Sequence, residues 1–304
     1  AVYEDVEVVT TGNPRFDPYL DQQLADALYP SRSELAAEYG LPVEKPWVLF
    51  ALDFPLLFKS DERRQQLHEM GQITRAEVQS MQKVYETFGA WLRQFIREHS
   101  ECALILRPHP GSDLEQIKAD QRIEGSPNVH YIEDLSINPW ILHADRYVTR
   151  SSTSIVEAWL ADVPAAMMCT DQFADDMAAR PHVEENGVCL DSYAEFRDFL
   201  SSGLESRVRR AHGTFLTDHY YKLDGRAVFR TAKTLRQIVG ERQRSPSFQP
   251  HPLQDMGEHV KYSIKALLNE TGLNKFNPFD RPNDEFVSQR ATRKAIDEMA
   301  KIVG

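Results

Sequence analysis

Four polar segments, each closing a short apolar run, hold the side chains of this 304-residue chain that could do chemistry. Arg107-Pro108-His109-Pro110 follows CALIL. Its prolines remove backbone donors and stiffen the turn, while the Arg107 guanidinium and the His109 imidazole can both hold a phosphate. A rigid strand exit with a solvated arginine uses the same residues equally well. Arg150-Ser151-Ser152-Thr153-Ser154 follows RYVT and opens SIVEAWLAD. Hydroxyls and free amides at a helix start, helped by the macrodipole and Arg150, make an anion site; capping needs one hydroxyl, and here four stand in a row. Glu157, one turn further, is placed to accept from ribose hydroxyls or simply to complement the dipole. After VHY, Ile132 and the loop Glu133-Asp134-Leu135-Ser136 offer backbone groups that can read a base, or an ordinary turn. Asp53, ending WVLFALD, is a candidate general base or nucleophile, with Lys59 and His68 behind it; a loop aspartate that caps the next turn is the alternative. Its neighbours Phe54, Pro55, Leu56, Leu57 and Phe58 suit packing or a wall facing an acceptor.

Hydropathy assigns these residues to elements. WVLFALD, CALILR, VHYIE, RYVTR, PAAMMC and GVCLD are continuous apolar runs, the pattern of strands buried on both faces. Helix patterns alternate with them at 73–99, 113–119, 139–143, 153–162 and 193–201. Such alternation predicts an α/β fold with a doubly wound parallel sheet, whose ligands lie beyond the carboxyl ends of the strands. A helix-like stretch over 18–39 belongs to an entry segment at 1–46, the sheet domain spans 47–240, and 241–304 forms a linker and helical tail. The polar stretch 55–71 reads as a loop over the sheet edge.

Composition narrows the function. Lys+Arg 35 against Asp+Glu 46 gives a net charge of −11 with no dense basic run, which argues against nucleic acid as a partner. No run approaches the ~20 apolar residues of a membrane span, and the acidic start AVYEDVEVV is not an export signal. Cys102, Cys169 and Cys189 show no CxxC or His-Cys spacing, so neither a disulfide framework nor a zinc site is expected, and a reducing cytoplasm fits. GxGxxG, GxxxxGKS, HExxH, GxSxG and DxD are all absent.

TGNPRFD at 11–17, RPHP at 107–110, VHYIEDLS at 129–136 and VTRSSTSIVEAWLADVPAAM at 148–167 together resemble the nucleotide-sugar-binding, carboxyl-terminal half of GT-B glycosyltransferases of bacterial surface-polysaccharide synthesis. The resemblance covers roughly residues 5–240. An RPHP turn paired with a serine-rich turn looks like the HP and SS motifs of transferases with cytidine donors: sialyltransferases, Kdo transferases and glycerophosphotransferases. It implies that His109 and residues 151–154 hold the donor phosphate, that residues 132–136 hold the base, and that a CMP-sugar is the donor. With no DxD triplet, and with an arginine-histidine phosphate site that can work without a divalent ion, no metal or other cofactor is expected. A saccharide or lipid-linked saccharide is the implied acceptor, and the implied location is the cytoplasm or the inner face of the membrane. TGNPRFD normally ends an amino-terminal Rossmann-like half, so that half, which usually supplies the catalytic base, is expected to precede this chain or to be a partner chain. Non-hydrolysing UDP-N-acetylglucosamine 2-epimerases share the fold but carry a DSGG-type turn where this chain has RSST. A non-catalytic nucleotide-sugar-binding module is the third expectation.

Overall fold

The computed structural model describes residues 8–54, 57–58, 61–71, 73–109, 112, 114–118, 126–150, 152–169, 187–201 and 213–244. Ser151, Lys59 and the tail from 245 onward, including most of the expected linker and both tail helices, lie outside them. The chain divides into two compact units, Ala1–Leu28 with Tyr221–Gly304, and Tyr29–Tyr220.

In the first unit, the described segments are a short 3-10 turn at Pro14–Phe16, α1 (Asp17–Leu20), α2 (Gln22–Leu28) and α11 (Ala227–Arg244). The expected helix over 18–39 is interrupted at Asp21 and again before Ser31, where the Pro30 ring cannot continue a helix. TGNPRFD has a structural job. Gly12 adopts φ +86°, and a Cβ there would come within 3.1 Å of Ala227 Cβ and of the Tyr221 carbonyl. Asp17 is buried, and its carboxylate accepts from the amides of Ala227 at 3.0 Å and Val228 at 2.6 Å. A carboxylate on the first amides of an 18-residue helix satisfies orphan donors and opposes the positive dipole end.

The second unit is built on β1 (Trp47–Leu52), β2 (Ala103–Pro108), β3 (Val129–Tyr131), β4 (Arg146–Thr149), β5 (Ala165–Met168) and β6 (Val188–Leu190). All pairings are parallel and the order is β3-β2-β1-β4-β5-β6, so the expected doubly wound α/β sheet is present. After β3 the chain returns to the opposite side of β1, leaving the topological switch between β1 and β4. Among the described residues no helix is long and apolar enough to cross a membrane.

Two faces arise from the period of two. Val48, Phe50, Leu52, Leu104, Leu106, Val148, Ala166 and Met168 face a core closed by α5 (Arg75–Glu98) and α9 (Tyr193–Ser201). α5 buries Met81, Val84, Tyr85, Phe88, Leu92 and Phe95, a stripe at helical spacing, and starts on a Thr74–Glu77 capping box. Each such side chain contributes about 1.5–3 kcal/mol relative to exposure. On the other face Trp47 meets Trp140 of α7 (Asn138–His143), and Arg32 of α3 (Arg32–Tyr39) stacks 4.2 Å from the Trp47 ring while binding Asp145. The remaining helices among the described residues of the unit are α4 (Asp61–Glu69), α6 (Leu114–Lys118), α8 (Ile155–Leu160) and α10 (Gly213–His219).

Two further expectations are corrected by the fold. The polar stretch 55–71 contains α4, a helix whose low apolar content hides its period. Cys169 and Cys189 form a disulfide, contrary to the expectation from spacing; the bond is made possible because β5 and β6 run side by side in register, Met167 opposite Cys189. Cys102 is free and buried, and burial pushes its thiol up to about 11.

Candidate functional site at the sheet switch

The carboxyl ends of β1, β2, β3 and β4 share one edge of the sheet, and register fixes their neighbours: Leu52 lies opposite Pro108, and Ala51 opposite Thr149. At the β1 exit Asp53 is half-buried, with its amide turned back onto the Ala51 carbonyl at 3.0 Å. Phe54 and Phe58 do not form an open wall. They are buried against Tyr85, each with ring centroids 5.0 Å apart.

At the β2 exit the backbone of His109 is committed: its amide donates to the Leu52 carbonyl at 3.2 Å, and its carbonyl accepts from the Ser112 amide at 2.8 Å. The imidazole is exposed on the edge. Arg107 behaves differently from the sequence expectation of a phosphate ligand. It is 7% exposed, and its guanidinium donates to the carbonyls of Asp134 at 2.6 Å, Leu135 at 2.7 Å and Glu133 at 3.4 Å. One side chain therefore pins the whole β3 exit loop.

That loop starts at Ile132, whose side chain is buried and whose amide donates to the Leu106 carbonyl at 3.1 Å. Glu133, Asp134 and Leu135 are exposed, as expected of a loop, and Ser136 stands at its end with them. Leu135 holds φ +65°, a left-handed conformation costly for a branched side chain, and the Arg107 bond to its carbonyl helps to hold it there. Trp140 Nε1 also donates to the Asp134 carbonyl at 3.4 Å.

The β4 exit is a hydroxyl-rich turn, not the open helix terminus expected from sequence. α8 has six residues, and the amides of Ile155 and Val156 already donate to the carbonyls of Ser152 and Thr153. Thr149 Oγ1 accepts from the Ser152 amide at 3.2 Å, and Ser152 Oγ accepts from the Ser154 amide at 3.3 Å. Ser152 Oγ and Ser154 Oγ are 2.6 Å apart, and Ser154 Oγ and the Tyr147 hydroxyl are also 2.6 Å apart. Ser154 is buried, Ser152 half-buried and Thr153 exposed, so the hydroxyls run from the core to the surface.

Arg150 is buried, with its guanidinium carbon 5.9 Å from the Phe54 ring centroid. Below it a cavity of about 10 Å³ lies among Phe50, Phe88, Val148 and Thr149 at the β1–β4 switch, room for about one water. Glu157 is 6% exposed, with its carboxylate inside the fold. Burial raises the Tyr147 and Tyr220 hydroxyl pKa values, and the Glu157 charge adds to both rises.

The fold thus brings Asp53, His109, Ser152 and Thr153 to one edge, and it turns Arg107, Ile132 and Glu157 inward. Tyr147 and Thr149 were missed by sequence reasoning. The available signal was the presence of two hydroxyl residues in the short strand RYVT just before a hydroxyl-rich turn. Among the described residues no group of three or more His, Cys, Asp or Glu side chains could hold a metal ion.

No family model matches the chain, and no curated protein matches it. Solved structures do. The wall teichoic acid polymerase TagF is 13% identical with a TM-score of 0.48, over 78% of this chain and 53% of that one. A UDP-GlcNAc 2-epimerase from Methanocaldococcus jannaschii is 16% identical with a TM-score of 0.46, over 78% and 58%. A putative UDP-N-acetylglucosamine 2-epimerase from Listeria monocytogenes is 17% identical with a TM-score of 0.43, over 79% and 56%. The chain spans just over half the length of these structures, and likeness at this level leaves activity to the chemistry of the site itself.

Proposed function

We propose that this chain is the donor-binding half of a GT-B-type glycosyltransferase of surface-polysaccharide synthesis, taking a cytidine-activated sugar, a CMP-sugar, as donor. What supports the reading is that the β2 exit, with the exposed His109, and the β4 exit, with the hydroxyl turn of Ser152 and Thr153, lie on the same sheet edge on either side of β1, the edge where doubly wound sheets hold ligands.

Sugar transfer leaves negative charge on the departing phosphate. His109 and the turn hydroxyls, with Ser151 beside them in sequence, donate hydrogen bonds to that charge, and fixed donors bind the charged leaving group more tightly than the intact donor. The base rests on the backbone of residues 132–136, which Arg107 shapes from below. Asp53, at the same edge, serves as the base that accepts the proton of the acceptor hydroxyl, and the acceptor, a saccharide or lipid-linked saccharide, comes from the other half of the enzyme. No metal or other cofactor takes part in the reading.

Calorimetry of CMP, CDP, UMP and UDP with the chain and with His109→Ala tests it. Cytidine nucleotides should bind selectively, and His109→Ala should weaken CMP by about tenfold or more, the loss of one bond to a charged group. Selectivity for uridine would replace the reading with a UDP-sugar transferase or epimerase. Absence of nucleotide binding, or full affinity in His109→Ala, would overturn it.

A further inference from the structure

Below the hydroxyl turn lies a polar group that the functional reading does not use. Tyr147 is fully buried in the middle of β4, and its hydroxyl is 2.6 Å from Ser154 Oγ, itself 2.6 Å from Ser152 Oγ. We propose that Tyr147 is a positioning residue whose buried hydroxyl terminates a one-way chain, Tyr147 to Ser154 to Ser152, aiming the Ser152 hydrogen out of the turn at a phosphate oxygen. The inference deepens the donor-binding reading and rests on it.

Counting hydrogens gives the direction. Each of the three hydroxyls carries one hydrogen and two acceptor lone pairs. The two links between them consume two hydrogens, and the third points outward from Ser152, inward from Tyr147, or away from Ser154 where Ser154 accepts from both neighbours. Inward, Thr149 Oγ1 can take it, because that oxygen uses one lone pair for the Ser152 amide and gives its own hydrogen to the Ala51 carbonyl at 3.4 Å. Ser152 Oγ already accepts from the Ser154 amide, so its remaining lone pair suits the Ser154 hydroxyl and its hydrogen is left for an outer partner. A phosphate oxygen accepts and cannot donate. Its arrival therefore selects the outward arrangement, in which Tyr147 donates to Ser154 and Ser154 donates to Ser152.

Two physical features keep this arrangement in place. Burial holds the Tyr147 hydroxyl protonated well above neutral pH, so it stays a donor throughout the range of assay. Bonds in series also polarise one another, which makes the terminal Ser152 a stronger donor than an isolated serine.

The test is calorimetry of CMP and of cytidine with the chain, Tyr147→Phe, Ser152→Ala and the double variant. Phenylalanine keeps the ring and removes the oxygen. Tyr147→Phe should weaken CMP about fivefold and leave cytidine unchanged, because the chain of hydroxyls touches only the phosphate. In the Ser152→Ala background the same change should cost nothing more, since Tyr147 acts through Ser152. Equal loss of CMP and cytidine, or the same loss in both backgrounds, would assign Tyr147 a structural role and overturn the inference. CMP binding by Tyr147→Phe at full strength would overturn it too. Should Tyr147→Phe fail to fold, Ser154→Ala breaks the chain of hydroxyls at its centre and carries the same expectations. A parent protein that binds no nucleotide overturns the functional reading, whereas normal CMP binding by both the parent and Tyr147→Phe overturns the inference alone.

Discussion

Replacing Arg107 distinguishes a residue that shapes the base loop from one that grips a phosphate. Its guanidinium makes two short bonds, 2.6 Å to the Asp134 carbonyl and 2.7 Å to the Leu135 carbonyl, and one long bond of 3.4 Å to that of Glu133. A bond to a charged donor is worth about 1.5–3 kcal/mol net. The two short bonds alone would come to about 3–6 kcal/mol, and because residues 133–135 are exposed and their carbonyls can rehydrate, the low end applies. Arg107→Met retains the aliphatic stem and should cost about 3 kcal/mol, lowering the thermal transition by about 6–12 °C for a unit of this size. Arg107→Lys keeps the charge but loses the planar fork, so it should recover less than half of the loss. Circular dichroism melts measure the stability, and calorimetry of CMP against cytidine measures the consequence: a loosened loop weakens both ligands alike. A Met variant melting within about 1 °C of the parent would show that the bonds add nothing. A Lys variant with full CMP affinity, beside a Met variant that loses CMP alone, would return Arg107 to the phosphate.

The helix caps supply two further tests. Asp17→Ala removes the acceptor of the Ala227 and Val228 amides and should destabilise the start of α11 by about 2–3 kcal/mol, with Asn losing roughly half as much; faster hydrogen exchange of those two amides is the readout, and unchanged exchange would refute the cap. The Glu77 carboxylate accepts from the Thr74 amide at 2.6 Å, and that backbone bond, followed by the bond from the Thr74 hydroxyl, holds its pKa below the usual value of 4.5. A depressed carboxylate stabilises the folded state fully above its unfolded pKa and loses that contribution as pH falls through the folded value. Protection of the amides at the start of α5, taken relative to their intrinsic exchange rates, should therefore fall below pH 4.5 in the parent, while Glu77→Gln should show a flatter acid limb; identical profiles would remove the capping box from the account.

Much of this framework was legible because buried parallel strands advertise themselves. WVLFALD matches β1 to within a residue, the spacing of Phe196, Phe199 and Leu200 marks the buried side of α9, and apolar alternation between helix and strand sufficed for the doubly wound sheet. Strand ends then marked the edge where Asp53, His109 and the hydroxyl turn stand. What stayed hidden was partner choice. An arginine after a strand looks the same whether it serves a ligand or three carbonyls of its own fold, and Arg107 serves the carbonyls. Cysteines 20 residues apart carry no local signature, because their meeting depends on which strands become neighbours. SIVEAWLAD has the helical period throughout, yet α8 covers only its centre: it stops at Leu160, and the Val163 amide turns back to the Ala158 carbonyl.

The division of labour at the sheet edge has a physical logic that bears on the proposed binding of an anion there. A chain of net charge −11 repels a phosphate at long range, and salt confines that repulsion to about 8 Å at physiological ionic strength. The two arginines at the strand exits are both buried, one bound to loop carbonyls and one beside Phe54, so removing either disturbs the fold as well as the field. Neutral hydroxyls carry no comparable desolvation penalty when half-buried, and a chain of them can fix the direction of its last hydrogen. On the proposed reading, recognition at this edge is a matter of donor direction at contact distance, with His109 supplying the exposed ring. For that reason the substitutions that separate ligand recognition from folding are those of single oxygens, at Ser152 and Tyr147, and not the removal of a buried cation.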